Sequence, residues 1–184
     1  KACGMQYAVL TTKHHDGYVM WDTKTTDFSI MHSAYGRDIV RQYVDAFRAE
    51  GIRVGFYFSL ADWHHPDYPP FRQEDAPYRF PVSRPLDPER WPRFVETMFA
   101  QVRELLTNYG EIAVIWFDGQ WERTIDQWRA KELREMIKQL QPEIMINDRL
   151  PANGDYTTPE QFVPAQPPAG PWETCLTMNE SWAY

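Results

Sequence analysis

The stretch Ala113-Val114-Ile115-Trp116-Phe117-Asp118-Gly119 decides how this chain is interpreted. Its uninterrupted β-branched and aromatic residues predict a strand that is buried on both faces, as strands of a parallel α/β sheet are. The run ends in a carboxylate followed by a glycine. Active sites of α/β barrels and open α/β sheets are built at the carboxyl ends of strands, so Asp118 is a candidate catalytic residue. The alternative is a helix-capping aspartate in a strand-to-helix loop.

Three further apolar runs and three segments of helical periodicity surround this strand. The predicted interior strands cover residues 7–12, 54–60, 113–118 and 144–147, and the predicted helices cover residues 38–50, 90–109 and 126–141. Strand and helix alternate with connections long enough for parallel pairing, so the fold class is α/β. Proline-rich stretches at residues 64–92 and 151–171 predict irregular loops at the end of the sheet where functional loops gather.

Four strands are too few to close a barrel, and an open parallel sheet of this size needs protected edges. We therefore expect a piece of a larger (β/α) barrel. Residues 1–184 would form one fragment of a single catalytic barrel domain. The alternative is a complete small α/β domain.

The composition excludes several classes of protein. Hydrophobic residues make up 43% of the 184 residues, and eight Trp, ten Tyr and ten Phe indicate a folded chain. The net charge of −7 and the lack of a basic stripe argue against nucleic acid or an anionic membrane as a partner. No run approaches the roughly 18 apolar residues of a membrane span. Two cysteines are too few for a disulfide framework or a cysteine-rich zinc site.

Two adjacent histidines, His14 and His15, directly follow the first predicted strand. Neighbouring side chains of a strand point to opposite faces, so both rings reach one site only if the chain turns there. Asp16-Gly17 supplies the signal for such a turn. A histidine pair at a strand end can donate hydrogen bonds to sugar hydroxyls or bind a metal ion. The alternative is a structural hydrogen-bonding role for each ring.

Three other polar residues lie at predicted strand ends or beside a proline-rich loop. Strand alternation separates Tyr57 from its phenylalanine neighbours, and its hydroxyl can face either a substrate or a buried partner. Arg149 can hold a ligand oxygen in a fixed fork geometry, or it can form a plain surface pair with Asp148. Glu173 follows Trp172, and an apolar neighbour of this kind raises a carboxyl pKa as a general acid requires.

Common signatures of other enzyme classes are absent from the chain. It contains no Gly-x-Ser-x-Gly elbow, no glycine-rich phosphate loop and no dinucleotide fingerprint. Acyl transfer, nucleotide chemistry and nicotinamide chemistry therefore have no support in the sequence.

Taken together, five motifs resemble those of the α-L-fucosidases of glycoside hydrolase family 29. In chain order they are Thr11-Thr12-Lys13-His14-His15-Asp16-Gly17-Tyr18, Trp116-Phe117-Asp118-Gly119, Asn147-Asp148-Arg149, Gly154-Asp155-Tyr156-Thr157-Thr158-Pro159-Glu160 and Trp172-Glu173-Thr174-Cys175. The resemblance covers essentially the whole chain, and the conjunction of the motifs is more specific than any one of them.

The resemblance implies a fold, an activity and a substrate. The fold is a (β/α)8-like barrel followed by a β-sandwich domain, and the β-sandwich is absent from this chain. The activity is hydrolysis of terminal α-L-fucosides with retention of configuration, without a metal or other cofactor. The substrate is a fucosylated glycan or glycoconjugate. A secreted, periplasmic or lysosomal-type compartment follows from the family, and no signal segment is present in the chain.

The resemblance also assigns roles to individual residues. Asp118 matches the nucleophile, and Glu173 matches a position proposed as acid/base in part of the family, where that position differs between branches. The remaining matches contact the sugar or lie beside the nucleophile, and they are His14, His15, Tyr57 and Arg149. Family members also carry a first barrel strand before the point where this chain begins, and further strands after the point where it stops. The resemblance therefore implies a partial (β/α)8-like TIM barrel that lacks the first strand and the last strands of the barrel. We therefore expect activity of the parent protein and not of this piece alone.

Two rival hypotheses remain open on the sequence. One is a carbohydrate-binding protein that keeps the pocket without the chemistry. The other is a metal-dependent barrel hydrolase that uses His14, His15 and Asp118 as ligands. The sequence is silent on oligomeric state and on which fucosyl linkage is cleaved.

Overall fold

Four parallel strands form one sheet in which spatial order follows sequence order. The computed structural model describes residues 1–70, 84–179 and 182 of the chain. The strands are β1 (Tyr7–Lys13), β2 (Arg53–Ser59), β3 (Val114–Asp118) and β4 (Met145–Ile146). The predicted α/β class with a parallel sheet is confirmed, and each strand lies within about two residues of its predicted bounds.

The helices between the strands differ from the prediction at one point. They are α1 (Ile39–Ala49), α2 (Arg90–Asn108), α3 (Ile125–Trp128) and α4 (Ala130–Leu140). The prediction of one helix over residues 126–141 is wrong, because Arg129 adopts a left-handed backbone (φ 50°) and ends α3. Its amide donates to the carbonyls of Asp126 and Ile125, so the break carries a C-terminal cap. The capping box between Thr124 and Gln127 is present.

The main hydrophobic core lies between the sheet and the helices. Its largest fully buried members include Phe56, Phe58, Phe94, Met98, Leu105 and Phe117. The opposite face of the sheet, the inner face, carries a smaller cluster centred on Val114, Trp116 and Tyr156. In contrast to the prediction that all four strands are interior, only Thr12 and Lys13 of β1 are buried, and β1 is the first strand of the sheet in the described part of the chain.

A backbone hydrogen bond continues the pairing of β2 and β3 past the end of the two strands. The amide of Leu60 donates to the carbonyl of Asp118 at 2.8 Å. Gly119 follows with φ 78°, and a Cβ there would lie 3.0 Å from the backbone nitrogen of Ala61. A glycine is therefore required where the chain leaves β3, and it lets the two strand ends meet.

Beyond β4 the proline-rich segment adds two irregular strands to the sheet. Residues 157–161 and 171–175 run parallel, with the amide of Glu173 donating to the carbonyl of Thr157 at 3.0 Å. The sheet curls so far that Tyr7 of β1 donates its hydroxyl to Glu173 Oε2 at 2.5 Å. The inner face is therefore concave.

The first proline-rich stretch is only partly described. Of residues 64–92, residues 71–83 lie outside the described part. Arg90, Trp91 and Pro92 belong to α2, which confirms the helix predicted over residues 90–109 and not the irregular loop predicted over residues 64–92, where the two predictions overlapped. The proline stands in the first turn, where its missing N–H costs no helical hydrogen bond. Within the described ranges, no helix combines the length and apolarity that crossing a membrane requires.

Candidate active site

Asp118 ends β3 with its side chain on the inner face, where three side chains converge on it. Tyr57 donates its hydroxyl to Oδ2 at 2.8 Å, and Arg149 donates from Nη1 to Oδ1 at 2.9 Å. His15 Nε2 lies 3.7 Å from Oδ2. Asp118 is only 9% exposed, and each of its carboxylate oxygens is oriented by a hydrogen bond from a protein group. The structure thus brings together the predicted Asp118, Tyr57, Arg149 and His15.

Tyr57 reaches this site because strand alternation separates it from Phe56 and Phe58, which are fully buried in the main core. Burial and the negative charge of Asp118 raise the pKa of the Tyr57 hydroxyl. The hydroxyl therefore stays protonated and acts as a permanent donor to the carboxylate.

The two histidines have different environments. His15 is buried, with its ring 5.0 Å from that of Trp63 and 5.5 Å from that of Trp121. His14 is exposed and stacks on Tyr57 with ring centroids 5.4 Å apart. The predicted turn is present, since the amide of Gly17 donates to the carbonyl of His14 at 3.1 Å. This turn lets adjacent side chains of one strand end face the same site.

His15 is uncharged at neutral pH. Burial, reinforced by the neighbouring His14, lowers the pKa of its imidazole from 6.5 to about 4. The nearby carboxylates, Asp118 among them, favour the charged form but do not offset the loss of hydration.

Acidification should therefore destabilise the folded protein through His15. Below about pH 6.5 the unfolded chain takes up a proton that the folded chain excludes until about pH 4. The free energy of unfolding should fall by about 1.4 kcal/mol per pH unit in this window, or about 3 kcal/mol in total, as the pH drops. Urea unfolding at several pH values gives the free energy of unfolding as a function of pH for the wild type and for His15→Gln. The difference between the slopes of the two plots is the contribution of His15.

His32 offers the matched control, because its side chain is 60% exposed. The variant His32→Gln, measured in the same way, shows what the loss of an exposed histidine does to the slope. Equal slopes for the wild type and His15→Gln would contradict the assignment.

Arg149 spans two carboxylates. Besides Asp118, it binds Glu160 from Nη2 to Oε2 at 2.6 Å, and its guanidinium lies 4.5 Å from the centre of the Trp116 ring. Asp148 accepts a hydrogen bond from Thr158 instead, so the interpretation as a plain Asp148–Arg149 surface pair is wrong. The fork geometry that the sequence suggested is directed at protein carboxylates.

Glu173 lies on the inner face, held by two neutral donors. The indole nitrogen of Trp116 donates to Oε1 at 2.5 Å, and the Tyr7 hydroxyl donates to Oε2. The prediction that Trp172 provides an apolar environment for Glu173 is wrong, because Trp172 is 36% exposed. In the extended pairing of residues 171–175, neighbouring side chains point to opposite faces, so Trp172 points away from Glu173.

Two stacked rings connect Asp118 to Glu173. The rings of Tyr57 and Trp116 lie 5.4 Å apart and nearly parallel. One ring donates to Asp118 and the other donates to Glu173. Trp116 was missed as a site residue, although its position two residues before Asp118 places it on the same face of β3.

The buried carboxylate of Glu122 holds Trp63, whose ring packs against His15. Glu122 accepts hydrogen bonds from Trp63 Nε1 at 2.9 Å and from the Tyr68 hydroxyl at 2.5 Å, and it forms an ion pair with Arg84 at 2.8 Å. Its side chain is 0% exposed. Because its partners come from the long segment after β2, no local sequence pattern identifies this role.

The described part of the chain contains no cluster of ligands that would support the metal hypothesis. There, no group of three or more His, Cys, Asp or Glu side chains is arranged to hold a metal ion. His14 stacks on Tyr57, and His15 Nδ1 is bonded to Ser59, so these two rings have other contacts.

Known proteins share this sequence and this architecture. The chain is 30% identical over 195 residues to the tissue alpha-L-fucosidase of Bos taurus and 29% identical over 195 residues to that of Homo sapiens. Each alignment covers 100% of this chain and 39% of the relative, so the chain spans about two fifths of their length.

Solved structures agree with the sequence relatives. The alpha-L-fucosidase isoenzyme 1 from Paenibacillus thiaminolyticus matches 100% of this chain and 48% of its own with a TM-score of 0.86 at 43% identity. A variant of an alpha-L-fucosidase of glycoside hydrolase family 29 from Bacteroides thetaiotaomicron, trapped as a covalent intermediate with 2-fluoro-fucosyl fluoride, matches 95% of this chain and 43% of its own. Its TM-score is 0.81 at 31% identity.

The family comparison covers every residue. The sequence model of the family described as Alpha-L-fucosidase matches residues 1–184. A match over the full chain, together with the sequence relatives and solved structures, leaves one assignment. The chain belongs to the alpha-L-fucosidase family.

Proposed function

We propose that the protein carrying this chain is a retaining exo-glycosidase that hydrolyses terminal α-L-fucosides, with Asp118 as nucleophile and Glu173 as acid/base. The observation that carries the proposal is the placement of Asp118 at a strand end with both oxygens oriented by Tyr57 and Arg149. A nucleophile held in this way needs little reorganisation before it attacks. The covalent intermediate trapped in a relative supports a two-step mechanism.

The proposed reaction proceeds through a fucosyl-enzyme. Asp118 attacks the anomeric carbon while the Glu173 carboxyl gives its proton to the departing glycosidic oxygen. The Glu173 carboxylate then takes a proton from water, and the water oxygen displaces Asp118. Two inversions give net retention, for which the two carboxyl groups should stand about 5–5.5 Å apart.

The substrate is a fucosylated glycan or glycoconjugate in this proposal. His14, His15 and Arg149 hold the sugar hydroxyls, and Tyr57 fixes the nucleophile. Hydrogen bonds in which a sugar hydroxyl is the donor become stronger as positive charge develops on the sugar ring in the transition state.

The proposed architecture is a partial barrel. Residues 1–184 form one fragment of a single catalytic (β/α)8-like barrel domain, which lacks the first strand and the last strands of the barrel, and the β-sandwich of the family lies outside it. Two features support this: the parallel sheet in chain order, and the curl that brings Tyr7 of β1 to Glu173.

Hydrolysis of p-nitrophenyl α-L-fucopyranoside tests the proposed function. The assay should be run on the protein as its gene encodes it and on residues 1–184 alone, with and without a strong chelator. We expect the α-anomer of fucose as the first product by NMR, at a rate that the chelator leaves unchanged. Fucose binding without turnover would favour the carbohydrate-binding alternative, and loss of activity to the chelator would favour the metal-dependent one.

Replacing Glu173 with glutamine should affect substrates according to their leaving group. A sugar alcohol leaves poorly without a proton donor, whereas p-nitrophenolate leaves readily. We expect Glu173→Gln to lose about 10²–10⁴-fold in kcat/KM on a fucosylated disaccharide and much less on the nitrophenyl fucoside. Steady-state kinetics on both substrates measure the difference.

Glu160→Gln is the comparison for this experiment, because Glu160 is the other carboxylate bound to Arg149. The decrease in kcat/KM of Glu160→Gln should be similar for the two substrates. A leaving-group-dependent loss in Glu160→Gln, without one in Glu173→Gln, would transfer the acid/base role to Glu160.

A further inference from the structure

Ser59 is a fully buried serine at the end of β2, directly opposite Asp118 in the strand register. Its hydroxyl makes two short contacts. Oγ donates to the carbonyl of Ala61 at 2.6 Å and lies 2.5 Å from Nδ1 of His15. The serine therefore connects the backbone after β2 to the buried histidine.

These two contacts decide which nitrogen of His15 carries the proton. A hydroxyl has one proton to donate, and a carbonyl oxygen can only accept. Since the Ser59 proton is used by Ala61, the contact with His15 forms only if Nδ1 carries a proton and donates to Oγ. In the neutral ring the other nitrogen, Nε2, is then bare and can only accept.

The bare nitrogen faces the nucleophile. Nε2 of His15 lies 3.7 Å from Oδ2 of Asp118, which is beyond hydrogen-bonding distance. Both atoms are acceptors, so neither satisfies the other. A group that binds between or beside them must bring its own proton.

We propose that Ser59 is a positioning residue that locks His15 in its Nδ1–H tautomer, so that Nε2 accepts a hydrogen bond from a sugar hydroxyl beside Asp118. The choice of a sugar rests on the proposed function, whereas the tautomer lock does not. This arrangement has a consequence for specificity. His15 selects a donor at this position of the ligand, and it does not donate to the sugar as a histidine of the opposite tautomer would.

The lock also explains why the serine matters to the nucleophile. Without Ser59, the best acceptor near the His15 ring is the Asp118 carboxylate. The proton would then move to Nε2, where the negative charge of Asp118 favours it, and the acceptor for the ligand would be lost. Ser59→Ala should therefore change the tautomer and not merely loosen the packing.

Nitrogen-resolved NMR of the histidine side chains tests the lock on the protein as its gene encodes it, with His15→Gln used to assign the signals. The wild type should show a protonated Nδ1 and a bare Nε2 for His15 at neutral pH. In Ser59→Ala the proton should instead be on Nε2 and Nδ1 should be bare. Ser59→Thr, which keeps the hydroxyl, should show the wild-type pattern. A wild-type His15 protonated at Nε2, or an unchanged tautomer in Ser59→Ala, overturns the proposal.

Calorimetric titration with L-fucose tests the ligand side. The Ser59→Ala variant should bind L-fucose roughly tenfold more weakly than the wild type, because one hydrogen bond to the sugar is lost. Ser29→Ala, which truncates another buried serine that no hydrogen bond joins to His15, should bind as the wild type does. Equal affinities of Ser59→Ala and wild type overturn the acceptor role of Nε2.

The two readouts separate this inference from the proposed function. If the wild type shows the Nδ1–H tautomer but does not bind L-fucose, the proposed substrate fails and the lock stands. If the wild type binds L-fucose with a proton on Nε2, the proposed substrate stands and the lock fails.

Discussion

Replacing Asp118 with glycine should reduce the turnover of p-nitrophenyl α-L-fucopyranoside by at least about 10³-fold, as loss of an essential nucleophile does in other enzymes. The affinity for L-fucose should change little, because in the proposed site the hydroxyls are held by other residues. The comparison of kcat with the dissociation constant of L-fucose therefore separates loss of chemistry from loss of binding. A variant that keeps wild-type turnover would exclude Asp118 as nucleophile.

The space left by the carboxylate gives a sharper test. In Asp118→Gly, the guanidinium of Arg149 and the hydroxyl of Tyr57 lose the partner that both now contact. A small anion such as azide fits this cationic, donor-lined space and can attack the same carbon. We expect azide to restore cleavage of the nitrophenyl fucoside and to give a fucosyl azide of inverted configuration.

The surface variant Asp45→Asn serves as the control, since Asp45 is exposed on α1. It should keep wild-type turnover and should not respond to azide. If azide restores nothing in Asp118→Gly while fucose still binds, Asp118 positions the substrate and a different group is the nucleophile.

The features that the sequence predicted well are those that local pattern decides. The apolar run that becomes β3 allows only a buried strand, and its final carboxylate falls on the inner face beside Tyr57. The turn at Gly17 is likewise local, and it brings both histidines to one site. Alternation along a strand and turn chemistry are short-range rules, so one sequence suffices to apply them.

The features that the sequence did not reveal depend on partners far along the chain. Arg129 breaks a helix whose periodicity continues without interruption. The indole beside Glu173 belongs to Trp116, 57 residues away, and not to the adjacent Trp172. Ser59 carries no recognisable motif, and its role depends on where His15 is placed by another strand. Contacts of this kind are set by the curl of the sheet, which no local pattern encodes.

The buried carboxylate of Glu122 should be the largest single contributor to stability near the site. Its side chain is 0% exposed, and that of its ion-pair partner Arg84 is 4% exposed. Removing one member of such a pair leaves the other charge buried without this partner. We expect Glu122→Ala to lower the free energy of unfolding by about 3–5 kcal/mol, measured by urea titration.

Glu135→Ala is the matched control for this measurement, because Glu135 is exposed on α4. Its effect should stay within about 0.5 kcal/mol. The double variant Glu122→Leu with Arg84→Met removes both charges. It should cost less than the sum of its two single variants, since replacing a buried pair by apolar residues avoids an uncompensated charge. Additive costs would show that the two side chains do not depend on each other.

The same variant should also damage the active site, and this links stability to function. Glu122 fixes Trp63 through its indole nitrogen, and the Trp63 ring lies 5.0 Å from that of His15. Loss of this support admits water to His15, and hydration favours the charged imidazole, whereas loss of the Glu122 charge disfavours it. Burial is the largest cause of the lowered pKa, so the gain in hydration should outweigh the lost charge. The pKa of His15 should therefore rise from about 4 toward its ordinary value in Glu122→Ala, which histidine NMR detects in the folded protein at low denaturant. An unchanged pKa in a destabilised variant would show that Glu122 stabilises the fold without maintaining the environment of His15.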